Sequence, residues 1–562
     1  MVKGRSQMPV VEIPLTTLME FFPRHSLEEV VSALPFIGLD IERKNNKYIR
    51  LEYNPNRPDF SSYYGIVRAL KGYLGIETRF PKYRIYSDKR FEIQISRSIK
   101  PIRPYLRALV AKEKVLDLDL IKMLIDMQED LHKGIGNRRK TASIGLHNFE
   151  GIKFPLTYTS AGSNLSFVPL DFNRNLSLSE IVSSTDVGRK YSYLLSKLNQ
   201  YPILLDLENE VVSFPPIVNA NSTKLDHLSA GIFIEVTATD PNVADLILAI
   251  YTSTLCDMGF RVYHVVLNES DGTSTKSPDM GASFISASFT EINKCLGTKF
   301  SKKEIIQAVK RSRLGIENLN RDILTCAVPK YRNDIRQSRD LVEEVMIGLG
   351  ISKLSPTLPL VNVTGSRSIT SVYFDMIKDV LVGLGLLEIK SFNIVSKHLQ
   401  FDSMGIKPDE SSIVNIENSF ISEHELLRDS LLPSLIDTLS HNIHAYYPQN
   451  IFEIGKVFTN ESNEPEKWHL CVAIAHYKAD YTNIKSILQA FLKTAFGKDV
   501  TTRNSHNGMY ATGRSATIEI DGRNVGNIGE ISDVVKQNHR IRAPVAAFEM
   551  DLSPFLTPSF QG

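Results

Sequence analysis

The chain has 562 residues, of which 42% are hydrophobic and 23% charged, and its formal net charge is +2. This length is too great for one hydrophobic core and predicts about three to five domains. The composition excludes a disordered or membrane-embedded chain. The small net charge excludes a globally basic nucleic-acid-binding surface, so any RNA contact must come from local basic clusters.

Cysteine usage and the N-terminal residues bear on the cellular compartment. The four cysteines lie far apart and form no CxxC pair, which argues against a zinc site or a disulfide framework. The N-terminus lacks the apolar core of about 7 to 15 residues that a signal peptide needs. The most apolar helical segment is interrupted by Asp245 and Asp257. We therefore expect a cytoplasmic protein without a signal peptide or a transmembrane span.

The N-terminal region, residues 1–88, has the pattern of a small α+β module. VVEIPL is typical of a strand, and TTLMEFF and SLEEVVSAL have apolar residues at helical spacing. Thr16 and Ser26 are suitable N-caps for these two helices. A Pro-containing loop and an amphipathic helix follow.

The rest of the chain is predicted to form three further domains. Strand-like and helix-like segments alternate through residues 89–270, which predicts one larger α+β domain. The polar stretch 268–282 is rich in Ser, Thr, Gly, Asp and Pro and is typical of a linker. We expect a compact small domain at 283–357 and a last domain at 365–562, with strands around NIFEIGKVF and VAAFEMDL. The predicted fold class is multidomain α+β.

Four carboxylates are concentrated in the stretch YRNDIRQSRDLVEEV. If a helix begins near Ser338, whose hydroxyl can cap it, then Asp340, Glu343 and Glu344 share one face, because positions i, i+3 and i+4 are neighbours. Asp334, in the turn before the helix, can reach the same face. Converging carboxylates repel each other unless a cation lies among them, and Mg²⁺ prefers such oxygen ligands.

A second interpretation of this stretch needs no metal. Acidic side chains in the first turn of a helix are favoured by the helix dipole. Arg332, Arg336 and Arg339 can neutralise them. The spacing alone leaves both interpretations open.

Six motifs occur in a fixed order along the chain. They are NRPDFSSYYGIVRALKGYLG, LHKGIGNRRKTASIGLHNFEGI, SFPPIVNANSTKL, VPKYRNDIRQSRDLVEEV, LRDSLLPSLIDTLSHN and FEIGKVF. Together they resemble the β subunits of phenylalanyl-tRNA synthetase of the archaeal and eukaryotic cytosolic type. The resemblance implies an α2β2 enzyme that uses ATP to attach phenylalanine to tRNA-Phe. It also implies that the partner α subunit binds ATP and phenylalanine and carries the aminoacylation site.

The resemblance also assigns roles to the domains. Residues 89–270 resemble the B3/B4 editing domain, residues 283–357 the B5 domain, and residues 365–562 a class II synthetase catalytic fold. It implies a Mg²⁺ ion, at a site shared with the α subunit, on Asp334, Asp340, Glu343 and Glu344. Near the C-terminus no Gly-rich segment ends in an Arg placed to stabilise ATP phosphates. We therefore expect the last domain to be an inactive antiparallel-sheet domain at the subunit interface.

The expected editing reaction is hydrolysis of tyrosine wrongly attached to tRNA-Phe. Tyr differs from Phe by one hydroxyl, which a mostly apolar pocket rejects only weakly. Glu235 could accept a hydrogen bond from that hydroxyl, and Asn and Thr side chains could position water. The candidates are His147, Asn219, Asn221, Thr223, Glu235 and Thr237.

Each candidate also has a purely structural interpretation. His147, at the end of a predicted strand, could serve packing, and Asn219 and Asn221 could satisfy the backbone of a turn. Glu235 could be the solvent-facing position of an alternating strand.

The segment HKGIGNRRK clusters basic side chains beside glycines, which fits either contact with RNA phosphates or an ordinary solvated loop. The residues that could contact RNA are Lys133, Arg138, Arg139 and Lys140.

Two alternative functions from other classes of protein stay open at this point. One is a metal-dependent nuclease or phosphohydrolase acting through the acidic cluster, and the other is a tRNA-binding scaffold without chemistry.

Overall fold

The computed structural model describes residues 8–196, 198–227, 229–359, 363–417, 419, 421, 423–460 and 464–556. The chain divides into two compact units, Met1–Leu358 and Pro359–Gly562. Both units mix helices and sheets, which confirms the predicted α+β class. Within the described ranges, no helix combines the length and apolarity needed to cross a membrane.

The N-terminal part of the first unit folds around a three-stranded sheet of order β1-β3-β2. Its elements are β1 (Val10–Pro14), α1 (Leu15–Glu20), α2 (Leu27–Ala33), β2 (Leu39–Lys44), β3 (Tyr48–Tyr53) and α3 (Tyr63–Tyr73). Ser26 caps α2 as predicted, in a reciprocal arrangement with Glu29. Thr16 is not a cap, because α1 already begins at Leu15, directly after Pro14.

A large mixed sheet follows in the same unit. Its elements are β4 (Ile85–Ile95), β5 (Tyr105–Lys112), α4 (Leu118–Lys133), β6 (Ala142–Asn148), β7 (Leu156–Ala161), β8 (Ser166–Phe167), β9 (Leu176–Ser177), α5 (Leu178–Ser184), α6 (Asp186–Tyr191), β10 (Tyr201–Leu205), β11 (Val211–Phe214), β12 (Val218–Asn219), β13 (Gly231–Ala238), α7 (Pro241–Asp257), β14 (Arg261–Glu269) and β15 (Ser274–Ser277). The strand order is β12-β11-β10-β7-β4-β14-β5-β13-β6, with β15 paired to β14, and β8 pairs with β9 separately.

Strand β13 lies between β5 and β6, and all eight of its residues are buried. One face, which includes Ile232, Ile234 and Val236, packs in the same apolar core as α4 and α7. The other face carries Phe233, Glu235 and Thr237, since alternate strand residues point to opposite faces. The predicted alternative that Glu235 faces solvent is therefore wrong.

The large sheet curls so that its two ends meet. The Asn219 amide on β12 donates to the Leu146 carbonyl on β6, although these strands are at opposite ends of the strand order. The Ser213 hydroxyl on β11 likewise reaches Glu235 on β13. The second face of β13 is thereby enclosed.

The polar stretch 268–282 is not simply a linker. Strand β14 extends to Glu269, and Ser274–Ser277 turns back and pairs with β14 as β15. Three of the four β15 residues are exposed, which explains why a strand could have a linker-like polar composition.

The small domain has a three-stranded sheet of order β16-β18-β17 covered by helices. Its elements are β16 (Ser283–Ser288), α8 (Phe289–Leu296), α9 (Lys302–Arg311), β17 (Gly315–Leu319), β18 (Ile323–Val328) and α10 (Ser338–Leu349). The helix predicted to begin near Ser338 is α10, but its N-cap is Gln337. The Ser338 hydroxyl instead donates to the Glu291 carboxylate, 2.9 Å away.

The second unit is built on a sheet of order β19-β23-β24-β28-β27-β26-β25. Its elements are α11 (Ile369–Gly383), β19 (Leu387–Glu388), β20 (Ile394–Val395), β21 (Val414–Asn415), β22 (Leu426–Leu427), α12 (Leu432–His441), β23 (Gln449–Phe458), β24 (Glu466–Ala475), α13 (Tyr481–Phe496), β25 (Thr501–Asn504), β26 (Tyr510–Ile520), β27 (Arg523–Ile531), α14 (Asp533–Asn538) and β28 (Val545–Asp551). The sheet is antiparallel except where its edge strand β19 runs parallel to β23. Helices α11 and α13 pack in one core and α12 in another.

Candidate functional site

His147 lies on β6 with its side chain fully buried. Its Nδ1 is 2.8 Å from Thr223 Oγ1, whose own hydrogen is donated to the Ala220 carbonyl. Thr223 must then accept from Nδ1–H, which leaves a lone pair on Nε2. Burial lowers the pKa of His147 to about 3, so the ring is neutral near pH 7. In the described part of the chain, Nε2 has no hydrogen-bond partner.

Glu235 lies on β13 directly opposite Gly145 of β6, and its side chain is buried. One carboxyl oxygen, Oε1, accepts a hydrogen bond from Ser213 Oγ at 2.9 Å. The other, Oε2, has no partner among the described residues. Burial raises the pKa of Glu235 to about 7, while Ser213 and the Arg103 charge oppose the shift. Both protonation states are therefore accessible near neutral pH.

Gly145 brings these two groups together. A Cβ atom placed on Gly145 would lie 2.5 Å from both Glu235 Oε1 and His147 Nε2. The two side chains therefore fill the space that an ordinary residue would occupy. Buried polar atoms are normally paired, so two side chains that meet at one point and each carry an unpaired atom are a signature of a binding site.

The other editing candidates divide into two groups. Asn219 joins the network, since its Oδ1 is 3.4 Å from Ser213 Oγ, and Thr223 joins it through His147. Thr237 lies one step along β13, where its hydroxyl contacts Ser143 at 3.0 Å and accepts from Arg103 at 2.9 Å. Asn221 does not take part, because its Oδ1 accepts from the Asp171 backbone.

Three residues of this network were not predicted from the sequence: Gly145, Ser213 and Arg103. Gly145 and Ser213 lie in quoted motifs, but nothing in their local pattern distinguishes them from other small residues. Their roles depend on the curling of the sheet, which joins β11 to β13. The signal that could have helped is alternation along β6, which places Gly145 on the same face as His147.

In the acidic stretch of the small domain, an arginine occupies the centre. The buried Arg332 guanidinium donates to both carboxyl oxygens of Asp334, at 2.8 and 2.6 Å, and also contacts the carboxylate of Glu344. The Asp334 carboxyl is buried, which by itself raises its pKa, but the Arg332 charge outweighs this and the pKa is lowered. Two of the four carboxylates are thus paired with one guanidinium within the chain.

The remaining two carboxylates have separate environments. Asp340 Oδ2 accepts from the backbone N–H groups of Arg336 and Gln337, at 2.7 and 2.9 Å, in front of α10. The Glu343 pKa is raised by burial and by its three acidic neighbours. Within the described ranges, no group of three or more His, Cys, Asp or Glu side chains is arranged to hold a metal ion. The four residues as placed therefore do not fit a Mg²⁺ ion held by this chain alone.

Comparison with known proteins decides the family. Residues 285–351 match the family model of the tRNA synthetase B5 domain, and residues 354–552 match that of the phenylalanyl tRNA synthetase beta chain CLM domain. The phenylalanine–tRNA ligase β subunit of Archaeoglobus fulgidus is 34% identical over 94% of this chain and 95% of its own length. The chain belongs to the family of phenylalanine–tRNA ligase β subunits. That of Pyrococcus furiosus is 33% identical over 92% of this chain and 93% of its own.

A solved structure supports the fold of the first unit. It is an N-terminal fragment of the phenylalanyl-tRNA synthetase β-subunit from Pyrococcus horikoshii, with 28% identity and a TM-score of 0.58. The match covers 60% of this chain and 99% of the fragment. The predicted family, and with it the role as a subunit of an aminoacyl-tRNA synthetase, is confirmed. Neither the nuclease nor the scaffold alternative is supported.

In this β-subunit family member, Arg428, the second residue of the motif LRDSLLPSLI, is only 2% exposed. The Arg428 guanidinium donates to Glu453 Oε1 at 2.9 Å and to Ser391 Oγ at 2.7 Å, and its Nε donates to the Lys456 carbonyl. Gly455 leaves room for it, since a Cβ there would lie 2.3 Å from Arg428 Nη2. This arginine is therefore engaged inside the domain and cannot reach a nucleotide.

The basic side chains of the loop that contains HKGIGNRRK fall into two groups, one engaged within the domain and the other exposed. The Arg139 guanidinium donates to the Pro216 and Ile217 carbonyls and to Glu129, and it lies over the Tyr191 ring. Arg139 is thus a structural residue. Three of the predicted RNA-contacting side chains are exposed: Lys133, Arg138 and Lys140.

Proposed function

We propose that the chain assembles with a catalytic α subunit, contacts tRNA-Phe, and hydrolyses tRNA-Phe mischarged with tyrosine at Glu235 and His147. The observation that carries this proposal is a pair of buried side chains that meet over Gly145, each with one atom, His147 Nε2 and Glu235 Oε2, that has no partner among the described residues. Both are closed off from solvent, so a substrate reaches them only after the side chains covering them move.

A tyrosine side chain matches these two atoms. Its hydroxyl can donate to the lone pair of His147 Nε2 and accept from Glu235 when that carboxyl is protonated, or donate to Glu235 when it is ionised. A phenylalanine side chain would leave both atoms unsatisfied, at a cost of about 1 to 3 kcal/mol for each buried group. Tyrosyl esters are therefore selected and correctly charged tRNA is spared. The same hydrogen bonds fix the position of the ester carbonyl relative to the attacking water.

The test of the proposal is hydrolysis of Tyr-tRNA-Phe by the assembled enzyme carrying Glu235→Ala. We expect at least a tenfold loss, of the order found when a single site group is removed, and unchanged formation of Phe-tRNA. Glu208→Ala, an exposed glutamate of the same domain, is the matched control. Unchanged hydrolysis in the Glu235 variant would show that the site is wrongly assigned.

We propose that this chain does not aminoacylate tRNA by itself. Stabilising the charge that develops on ATP phosphates requires accessible cations. Arg428, the arginine of the motif that resembles the catalytic fold, is buried against Glu453. Phe-tRNA formation by the purified chain without an α subunit would contradict this proposal.

The second unit supplies a suitable surface for the α subunit of an α2β2 assembly. Phe392 and Leu387 are 82% and 67% exposed, and Val382 at the end of α11 is 58% exposed. Large apolar side chains grouped at the surface mark a protein interaction site. They lie beside β19, an edge strand of the sheet.

We retain Mg²⁺ at Asp334, Asp340, Glu343 and Glu344 as a proposal for the assembled enzyme only. Glu343 supports it, since this carboxylate makes no ion pair or hydrogen bond within the described residues and has three acidic neighbours, whose repulsion exceeds the attraction of Arg332. The measurement is the metal content of the assembled enzyme. Glu343→Ala with Glu344→Ala is expected to reduce bound Mg²⁺, whereas unchanged metal content would exclude the site.

A further inference from the structure

Arg103 carries a buried positive charge without a carboxylate partner in the described part of the chain. It lies just before β5 and is 5% exposed. Its guanidinium donates to Thr237 Oγ1 and the Thr237 carbonyl at 2.9 and 2.8 Å, and to the carbonyls of Arg139 and Lys140 at 3.2 Å each. Burying a charge is costly unless it is well bonded, and here four oxygens from two separate elements provide the bonds.

One of these elements is the basic loop between α4 and β6. Its consecutive residues Asn137, Arg138 and Arg139 have φ values of 48°, 53° and 67°, in the left-handed region that non-glycine residues rarely adopt. Such a conformation persists only where the surroundings hold it. Arg103 holds the loop through two carbonyls from inside, and the Arg139 side chain holds it from the β12 side.

The outer side of the same loop lines a cleft. Lys133 and Arg138 line a cavity of about 1060 Å³ together with Lys190, Tyr191 and Tyr193. Exposed cations on a fixed backbone, with tyrosines beside them, suit the phosphates of an RNA chain. The rest of the cavity wall carries Glu42, Glu52 and Asp130, and its Arg50 is paired with Glu42, so the side formed by the basic loop favours an anion.

The other element held by Arg103 is β13. Thr237, which takes two of the four hydrogen bonds, is two residues from Glu235 on the same face of the strand. Its hydroxyl also contacts Ser143 of β6, 3.0 Å away. One guanidinium therefore joins the loop that borders the cleft to the strand that carries the hydroxyl-binding carboxyl.

We propose that Arg103 is a positioning residue that couples an RNA phosphate backbone seated on the loop of Lys133 and Arg138 to the alignment of β13. Ester hydrolysis then depends on contact with the body of the tRNA, in addition to recognition of the tyrosyl group. This inference rests on the proposed editing function and goes beyond it, because Arg103 touches neither the hydroxyl nor the ester.

The experiment compares two substrates with the assembled enzyme: full-length Tyr-tRNA-Phe and tyrosine esterified to a short oligonucleotide with the same 3′ end. Arg103→Lys keeps the positive charge but cannot donate hydrogen bonds to all four oxygens. We expect its kcat on full-length tRNA to fall about tenfold or more with little change in KM, as misplacement of reacting groups does. The short ester should be hydrolysed as by the unaltered enzyme. Arg107→Lys, at an arginine paired with Asp245 in the same sheet, is the matched control.

A second variant keeps the test independent of how well Arg103→Lys folds. Lys133→Ala with Arg138→Ala changes only exposed side chains and should lower kcat on full-length tRNA while sparing the short ester. Combining it with Arg103→Lys should give no further loss, since the groups act as one unit.

Three results would overturn the inference. They are an equal loss on both substrates, a change confined to KM in the loop variant, and simple additivity of the two variants. If instead the unaltered enzyme hydrolyses neither substrate, or Glu235→Ala has no effect, the proposed editing function itself fails and this inference falls with it.

Discussion

Gly145 is the residue whose missing side chain allows a histidine and a glutamate to share one buried point. Neither His147 nor Glu235 is exceptional alone, because buried and hydrogen-bonded examples of both are common in cores. Their unpaired atoms become informative only because the two side chains meet over Gly145. At the scale of single residues, the site is therefore defined as much by an absent Cβ as by the groups present.

Gly145→Ala should close the site. The new Cβ would lie 2.5 Å from both Glu235 Oε1 and His147 Nε2, so at least one side chain must move, at a cost of about 1 to 3 kcal/mol. We expect Tyr-tRNA-Phe hydrolysis to fall sharply and Phe-tRNA formation to stay unchanged, as measured on the assembled enzyme. Gly162→Ala is the control, since nothing lies within 4 Å of that position. Full hydrolytic activity in Gly145→Ala would contradict the geometry.

Glu235→Gln should change how stability depends on pH. Burial raises the pKa of Glu235 to about 7 in the folded chain, against 4.5 ordinarily. As the pH rises between these values, the unfolded chain loses this proton first, so folded wild-type protein loses stability. Glutamine has no such proton. The stability of the variant relative to wild type should therefore increase by about 1 to 3 kcal/mol between pH 5 and pH 7.5.

Thermal unfolding followed across this pH range measures the effect, with Glu208→Gln as the exposed control. The pKa of His147 is lowered, so its contribution to stability is lost as the pH falls toward 3 and has the opposite slope. Because both variants retain His147, its contribution cancels in the comparison. A pH-independent difference would show that Glu235 is ionised in the fold.

Residue identities could be predicted from the sequence only where a chemically distinctive side chain stood in a strand-like segment. His147 and Glu235 met that condition, and the structure brings them together with Thr223 and Asn219. Ser213 and Arg103 did not, because their importance arises from pairing across the curled sheet. Asn221 looked equivalent to Asn219 but faces another loop.

Helix α10 shows what spacing predicts at the scale of an element. The helix was predicted correctly, and its apolar side chains Leu341, Val342 and Val345 lie buried in the small-domain core. Periodicity does not determine which charged groups pair. The buried Arg332 is two residues from Asp334 and twelve from Glu344, so only the folded turn reveals that it bridges them.

The acidic residues of α10 should differ in their effect on stability. Asp340→Ala removes two hydrogen bonds to backbone N–H groups in front of the helix and should cost about 0.5 to 2 kcal/mol. Glu343→Gln removes a carboxyl whose three carboxylate neighbours outweigh the attraction of Arg332, and it should be neutral or slightly stabilising. Chemical unfolding in metal-free buffer measures both. Equal destabilisation by the two variants would contradict the capping role of Asp340.

For the whole molecule, the mixed α and β class and the family could be predicted because long segments carry strong periodic patterns and specific motifs. A linker-like composition was a less reliable guide to structure, because Ser274–Ser277 lies in the expected linker but forms a hairpin strand. Each of the two compact units has its own apolar cores. The periodic patterns of the sequence do not predict how such units assemble with a partner chain. Exposed apolar side chains are the main indication of that assembly.

Phe392→Glu with Leu387→Glu should weaken association with the α subunit. Both side chains are large, apolar and mostly exposed beside the sheet edge, and charges there would have to be desolvated on binding. We expect the dissociation constant measured with purified subunits to rise at least tenfold, as at central interface positions. Val534→Glu, at an exposed apolar residue on α14, is the control. Unaltered affinity in the double variant would place the interface elsewhere.

Strand β13, buried at all eight positions, has a consequence for genetic studies of this protein. A saturation screen scored by abundance would find nearly every substitution in Gly231–Ala238 harmful, because packing alone forbids most of them. Positions that serve hydrolysis would be hidden among positions that serve folding. Only a selection that challenges cells with excess tyrosine, scored separately from protein level, would distinguish Glu235 from its neighbours in the strand.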